Sequence, residues 1–217
     1  MNIRAILSLL AEPPWPVLTA ITLGGWAMVA GYSHGPAMSA LCVTATGAWY
    51  DQGWRAFQAA LLTLSPSGAA LSWVLMLVAM MTPILSGPVM HLWSSSLARR
   101  RWRAIAVFLA GYGGVWLALG PVLTMPAMVL QIAGDALGVP ALALSASVAF
   151  AWQATPWKQV CLNRCHWTPR ISLFGRAADR DCLRYGVVNA GWCVGTCWAL
   201  MLVSLTTVSA HLPVMAL

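Results

Sequence analysis

The sequence predicts an all-α protein: a polytopic transmembrane helical bundle of about five spans, built as a single domain over residues 1–217. Three observations predict it. Hydrophobic residues make up 60% of the chain and charged residues only 8%, where a soluble domain carries roughly 25% charged residues. The mean hydropathy is +0.75. The apolar stretches are continuous runs, which suits helices of roughly 20 residues and not the alternating strands of a barrel.

The elements follow in order. The start, "MNIRAILSLLAEPPWP", has a short apolar core met at once by Pro13, Pro14 and Pro16. That is a poor cleavable signal, and the segment reads as a cytoplasmic lead-in. The first span is predicted over 17–32. A mixed stretch with Trp49, Tyr50, Asp51, Trp54 and Arg55 then suits a membrane surface. The remaining spans are predicted over 69–90, 104–124, 139–154 and 185–207. No internal repeat or long linker divides them.

Charge sets the orientation. Arg99, Arg100, Arg101 and Arg103 join the second and third spans. Lys158, Arg164, Arg170, Arg176, Arg180 and Arg184 lie between the fourth and fifth. Both loops fall on one side of a five-span chain, and basic loops face the cytoplasm. The N-terminus, with Arg4, is then inside, while 32–68, 131–138 and the C-terminus are outside. On this reading the net charge of +7 orients the chain in a lipid bilayer and implies no nucleic acid.

Sulfur is the unusual feature of the spans. The fifth contains "GWCVGTCWALM", with Cys193, Cys197 and Met201 at four-residue steps. A helix brings i, i+4 and i+8 near one face, and thiolate and thioether donors suit Cu(I). The second span adds Met76, Met80 and Met81 beside Pro83, whose missing N–H favours a kink. A third cluster, "PWKQVCLNRCHW", places Cys161 one helical turn from Cys165, with His166 adjacent. Each group has a second reading. Gly191 and Gly195 form a small-xxx-small pair that lets helices pack closely. Cysteine and methionine are also ordinary core residues, and Cys161 or Cys165 could cap a helix or carry a lipid.

Four segments, "MLVAMMTPILSGP", "FLAGYGGVWLALG", "AWQATPWKQVCLNRC" and "YGVVNAGWCVGTCWALM", carry a resemblance. In that order, over 73–202, the chain resembles the bacterial family described as predicted metal-binding integral membrane proteins, a domain of unknown function. The resemblance implies a multi-pass helical fold in the bacterial inner membrane and, by its label, metal binding. Members often have a third cysteine where Thr196 stands and a histidine where Asn189 stands. They usually continue into a further helix, where this sequence ends at Leu217.

No enzyme is expected. The acids Glu12, Asp51, Asp135, Asp179 and Asp181 lie outside the predicted span interiors, and no phosphate loop, zincin or nucleophile-elbow motif occurs. Two functions remain. One is binding or handling of a soft metal, copper by the donor set, on Cys193, Cys197, Met201, Met76, Met80 and Met81, with Cys161, Cys165 and His166 on the cytoplasmic side. The other is an accessory or assembly subunit that packs against other membrane subunits through Gly-, Cys- and Trp-rich helices without metal. Trp73, Trp116, Trp192 and Trp198 would then face partners.

Overall fold

Apolar runs of this length satisfy their backbone groups internally by coiling. The computed structural model describes residues 14–32 and 66–206, and every regular element among them is helical. In chain order these are α1 (Trp15–Tyr32), α2 (Pro66–Met81), α3 (Ser86–Ser95), a 3-10 turn (Ala98–Arg100), α4 (Arg101–Leu137), α5 (Ala141–Gln153), α6 (Pro156–Cys165) and α7 (Gly175–Thr206). The predicted start of the chain, the 32–68 loop beyond Tyr32 up to its junction with α2, and the tail after Thr206 lie outside the described residues.

Helices α4 and α7 form the pillar of the fold. They run in the same direction, because Arg100 and Arg103 at the start of α4 meet Asp179 near the start of α7. Further on, Gly111 faces Leu183, and Gly186 faces the Phe108 carbonyl. The two backbones touch here. A Cβ on Gly111 would lie 2.7 Å from the Leu183 oxygen, and one on Gly186 would overlap the Phe108 carbonyl. Small residues allow this approach between helices. The "GYGG" run thus contributes one close contact, at Gly111, while Gly113 and Gly114 face open space. Phe108, Tyr112 and Trp116 extend the same seam and are buried with Tyr185 in the hydrophobic core.

The other helices pack around the pillar, and two of the paths are interrupted. Helix α2 ends at Met81, and the chain turns through Thr82 to Leu85 before α3 begins. The two helices meet at a 72° bend. Pro83 supplies the cause, having no N–H to continue the ladder. Thr82 turns its hydroxyl back onto the Val78 carbonyl at 2.5 Å. The second interruption separates α5 from α6. Thr155 is extended (φ −79°, ψ 144°), caps α6 by accepting from Lys158 N, and precedes Pro156 at the first turn. A residue before proline is steered away from helical geometry, and proline is well suited to a helix start.

These breaks correct the expected five spans. Among the described residues, two helical segments are long and apolar enough to cross a membrane, Ala98–Leu137 and Gly175–Thr206. The bent pair Trp73–Met81 and Ser86–Ser95 makes a third if counted as one span. Trp15–Gly31 and Ala141–Gln153 are shorter apolar helices. The predicted third span ended too early, since α4 carries Pro121 and Pro126 within its 37 residues and stops only at Gly138, with φ 64°. The predicted external loop 131–138 is therefore mostly helix, ended by a left-handed glycine.

Candidate metal centre

The interruptions bring the sulfur residues together. Met81 is the last residue of α2. Its thioether Sδ is 3.9 Å from Cys193 Sγ, in a buried contact. The Tyr112 hydroxyl of α4 donates to the same sulfur at 3.2 Å. Three helices thus converge on Cys193. Trp116, one turn beyond Tyr112, is fully buried. Its buried indole N–H has no partner within hydrogen-bond geometry.

The second break supplies the other thiols. Trp152, near the end of α5, donates its indole N–H to the Gly195 carbonyl at 2.9 Å and stacks edge-on against Trp198. This holds the start of α6 against the middle of α7. Cys161 then lies over Gly195, so that a Cβ on Gly195 would stand 2.6 Å from Cys161 Sγ. One turn later, Cys165 interacts with Thr196 and senses both Cys197 and Cys161. Cys197 interacts with the Cys193 thiol and lies in the field of Lys158. Thr196, which stands where relatives of the resembled family often have cysteine, donates to the Cys193 carbonyl at 2.7 Å and lies 3.3 Å from Cys197 Sγ.

The nine predicted ligands therefore separate into groups. Cys193, Met81, Cys197, Cys161 and Cys165 share one region around the middle of α7. Met76 and Met201 are buried in the same hydrophobic core as Met81 and Cys193, and Met80 packs against it. None of these three has a hydrogen-bonded contact with the cysteines among the described residues. His166 closes α6 on the exposed side and lines a surface groove with Trp167 and Arg184. The segment carrying Cys161 and Cys165 was expected beyond the cytoplasmic end of the fifth span. It lies instead alongside the middle of α7, because the Thr155–Pro156 restart turns a polar helix back onto Gly195.

Among the described residues, no three His, Cys, Asp or Glu side chains already converge as a metal-ligand set. The fit to a soft ion rests on the mixed thiol–thioether pair. The 3.9 Å between Cys193 Sγ and Met81 Sδ is within the span of two metal–sulfur bonds of ~2.3 Å each. Cys197 stands one helical turn beyond Cys193 on α7 and acts on it electrostatically.

Sequence reasoning missed Tyr112, Trp152 and the role of α6. The signal was present as two Thr-Pro pairs, Thr82–Pro83 and Thr155–Pro156, each beside a sulfur cluster. The intramolecular use of the tryptophans was also missed. Trp73 donates to the Trp116 carbonyl at 2.9 Å, Trp198 stacks on Trp152, and Trp192 receives the Arg164 guanidinium at 4.8 Å.

Residues 70–217 match the model of a family described as PpoB2, copper chaperone. No curated protein and no solved structure matches the chain.

Proposed function

We propose, from the premise that this chain belongs to the PpoB2 copper-chaperone family, that it is a multi-pass protein of the bacterial inner membrane which carries Cu(I) as cargo. Cys193 and Met81 hold the ion. Cys197 offers a third donor, and Cys161 and Cys165 offer thiols through which cargo is exchanged. The observation that carries this reading is the buried approach of a thiol and a thioether from two separate helices, at 3.9 Å.

The chemistry follows from the donors. Soft sulfur ligands favour Cu(I) over harder divalent ions. A thiol must lose its proton to bind metal, so uptake releases protons. The Tyr112 hydroxyl donates to Cys193 Sγ and keeps that bond when the sulfur becomes anionic, orienting the ligand from outside the coordination sphere. Neighbouring thiols allow a soft ion to pass from one sulfur to the next without being released to water.

The membrane placement is supported by α4 and α7. Their 37 and 32 residues correspond to ~55 and ~48 Å at 1.5 Å per residue, against a hydrocarbon thickness of ~30 Å. The alternative, a metal-free packing subunit, loses one support. Trp73 and Trp198 contact other parts of the same chain, and Trp116 is fully buried.

The test is an anaerobic Cu(I) titration of the full chain in detergent against a chromophoric competitor. The expected result is one tightly held equivalent, lost in Cys193→Ser and in Cys193→Ala. A folded wild-type protein that takes up no Cu(I) under these conditions overturns the reading.

A further inference from the structure

A second feature lies outside the sulfur region. Between α6 and α7 runs an open groove of about 480 Å³, a volume in the range of small-ligand sites. One wall is Arg184, Val188 and Trp192 of α7, and the other includes Arg164, His166 and Trp167. The first three follow one another at i, i+4 and i+8, so they share a helix face and extend ~12 Å along it. Arg164 lies over the Trp192 ring at 4.8 Å from its centroid.

The groove combines two properties that do not usually occur together. Its apolar lining is Trp167, Val188 and Trp192, of which Trp167 is exposed. Yet it contains two guanidiniums without a carboxylate partner. The ion pairs among the described residues are those of Asp179 with Arg100 and Arg103. Asp181, the acid nearest in sequence to Arg184, accepts from the Ser172 backbone and hydroxyl and feels Arg184 through space only. Arginines forming bidentate bonds are suited to phosphate, and tryptophans beside them are suited to the headgroup level of a bilayer.

We infer that this groove binds the phosphate of an anionic phospholipid, held between Arg164 and Arg184, with the lipid body against Val188, Trp167 and Trp192. The occupant is chosen by charge and polarity together. A free phosphate would satisfy the guanidiniums but leave the apolar walls wet, whereas a lipid satisfies both. The inference rests on the membrane placement proposed above and is independent of copper.

The experiment uses the full chain in nanodiscs of phosphatidylcholine doped with phosphatidylglycerol, with bound lipid counted by native mass spectrometry after release. Wild type should retain phosphatidylglycerol selectively. Arg164→Gln with Arg184→Gln should weaken that retention about thirtyfold, while Arg99→Gln, an exposed basic residue that does not line the groove, should leave it within about twofold. Titration with inorganic phosphate forms a separate arm. Phosphate binding that is lost in the double variant, without selective lipid retention, overturns the lipid assignment. Retention that is the same in all variants overturns it too. Alkaline extraction that releases the chain from native membranes overturns both this inference and the membrane placement. A membrane-retained chain without lipid selectivity overturns this inference alone.

Discussion

Met81 Sδ and Cys193 Sγ lie 3.9 Å apart, although 112 residues separate them in sequence. Met81 closes α2, and Pro83, two residues on, keeps that helix from continuing in the same line into α3.

Met81→Leu is the cleanest probe of that pair. Leucine and methionine are near in volume, and such exchanges usually cost less than ~1.5 kcal/mol. The melting temperature should therefore stay close to wild type, while Cu(I) affinity in the competitor titration falls at least about tenfold, a loss of ~1.4 kcal/mol. An unchanged affinity would remove Met81 from the site.

Gly195 should accept even a methyl only at a cost while Cys161 is present. A Cβ there would stand 2.6 Å from Cys161 Sγ and 3.3 Å from its Cβ. Gly195→Ala is expected to cost about 1–3 kcal/mol by overpacking, and Gly195→Leu to prevent assembly. Cys161→Ala should restore much of the stability of Gly195→Ala in a double-mutant cycle. Independent, additive effects in thermal melts would show that the two residues do not touch.

Glycines along α4 and α7 should differ sharply. Gly186→Ala drives a methyl into the Phe108 carbonyl, which is backbone and cannot swing aside. That variant should lose the folded, monodisperse peak in detergent chromatography. Gly113→Ala meets nothing within 4 Å and should be neutral or gain up to about 1 kcal/mol from helix propensity.

Reporter fusions at Ser96 and Ser172 should both report cytoplasm. Arg99, Arg100, Arg101 and Arg103 follow the first site, and Arg170 and Arg176 flank the second. The two regions are also joined in space, since Arg100 donates to the Gly175 carbonyl and to Asp179. A periplasmic signal from one of them would break the proposed topology.

Helicity was legible from composition and from unbroken apolar runs, and the sulfur pattern of α7 was legible from its four-residue spacing. Span boundaries were not. The third span was predicted to end at 124, but α4 continues through Pro121 and Pro126 to Leu137, since proline costs less where neighbouring helices enclose the chain. Pro83 follows the end of α2 and Pro156 opens α6; both are preceded by threonine, which Pro121 and Pro126 are not. Gly191 and Gly195 looked alike on sequence, yet only Gly195 meets a neighbour, because Cys161 comes from a helix whose position no periodicity encodes. Gly186, the tightest position of the pillar, stood in no glycine motif at all.

The two interruptions also divide the molecule by how easily its parts open. Amide hydrogens along the α4–α7 seam, where backbone meets backbone, should exchange with solvent only when the whole fold gives way. Those around Thr82–Leu85 and Ala154–Thr155 sit at breaks between helices, held by turn and helix-end hydrogen bonds, and such segments open in smaller, cheaper events. The sulfur atoms stand between these two regimes. Cys193 is anchored to the slow half and Met81 to the fast half, so an ion bound between them ties the first break to the pillar. Bound cargo should therefore slow exchange at residues 82–85 while leaving the seam unchanged.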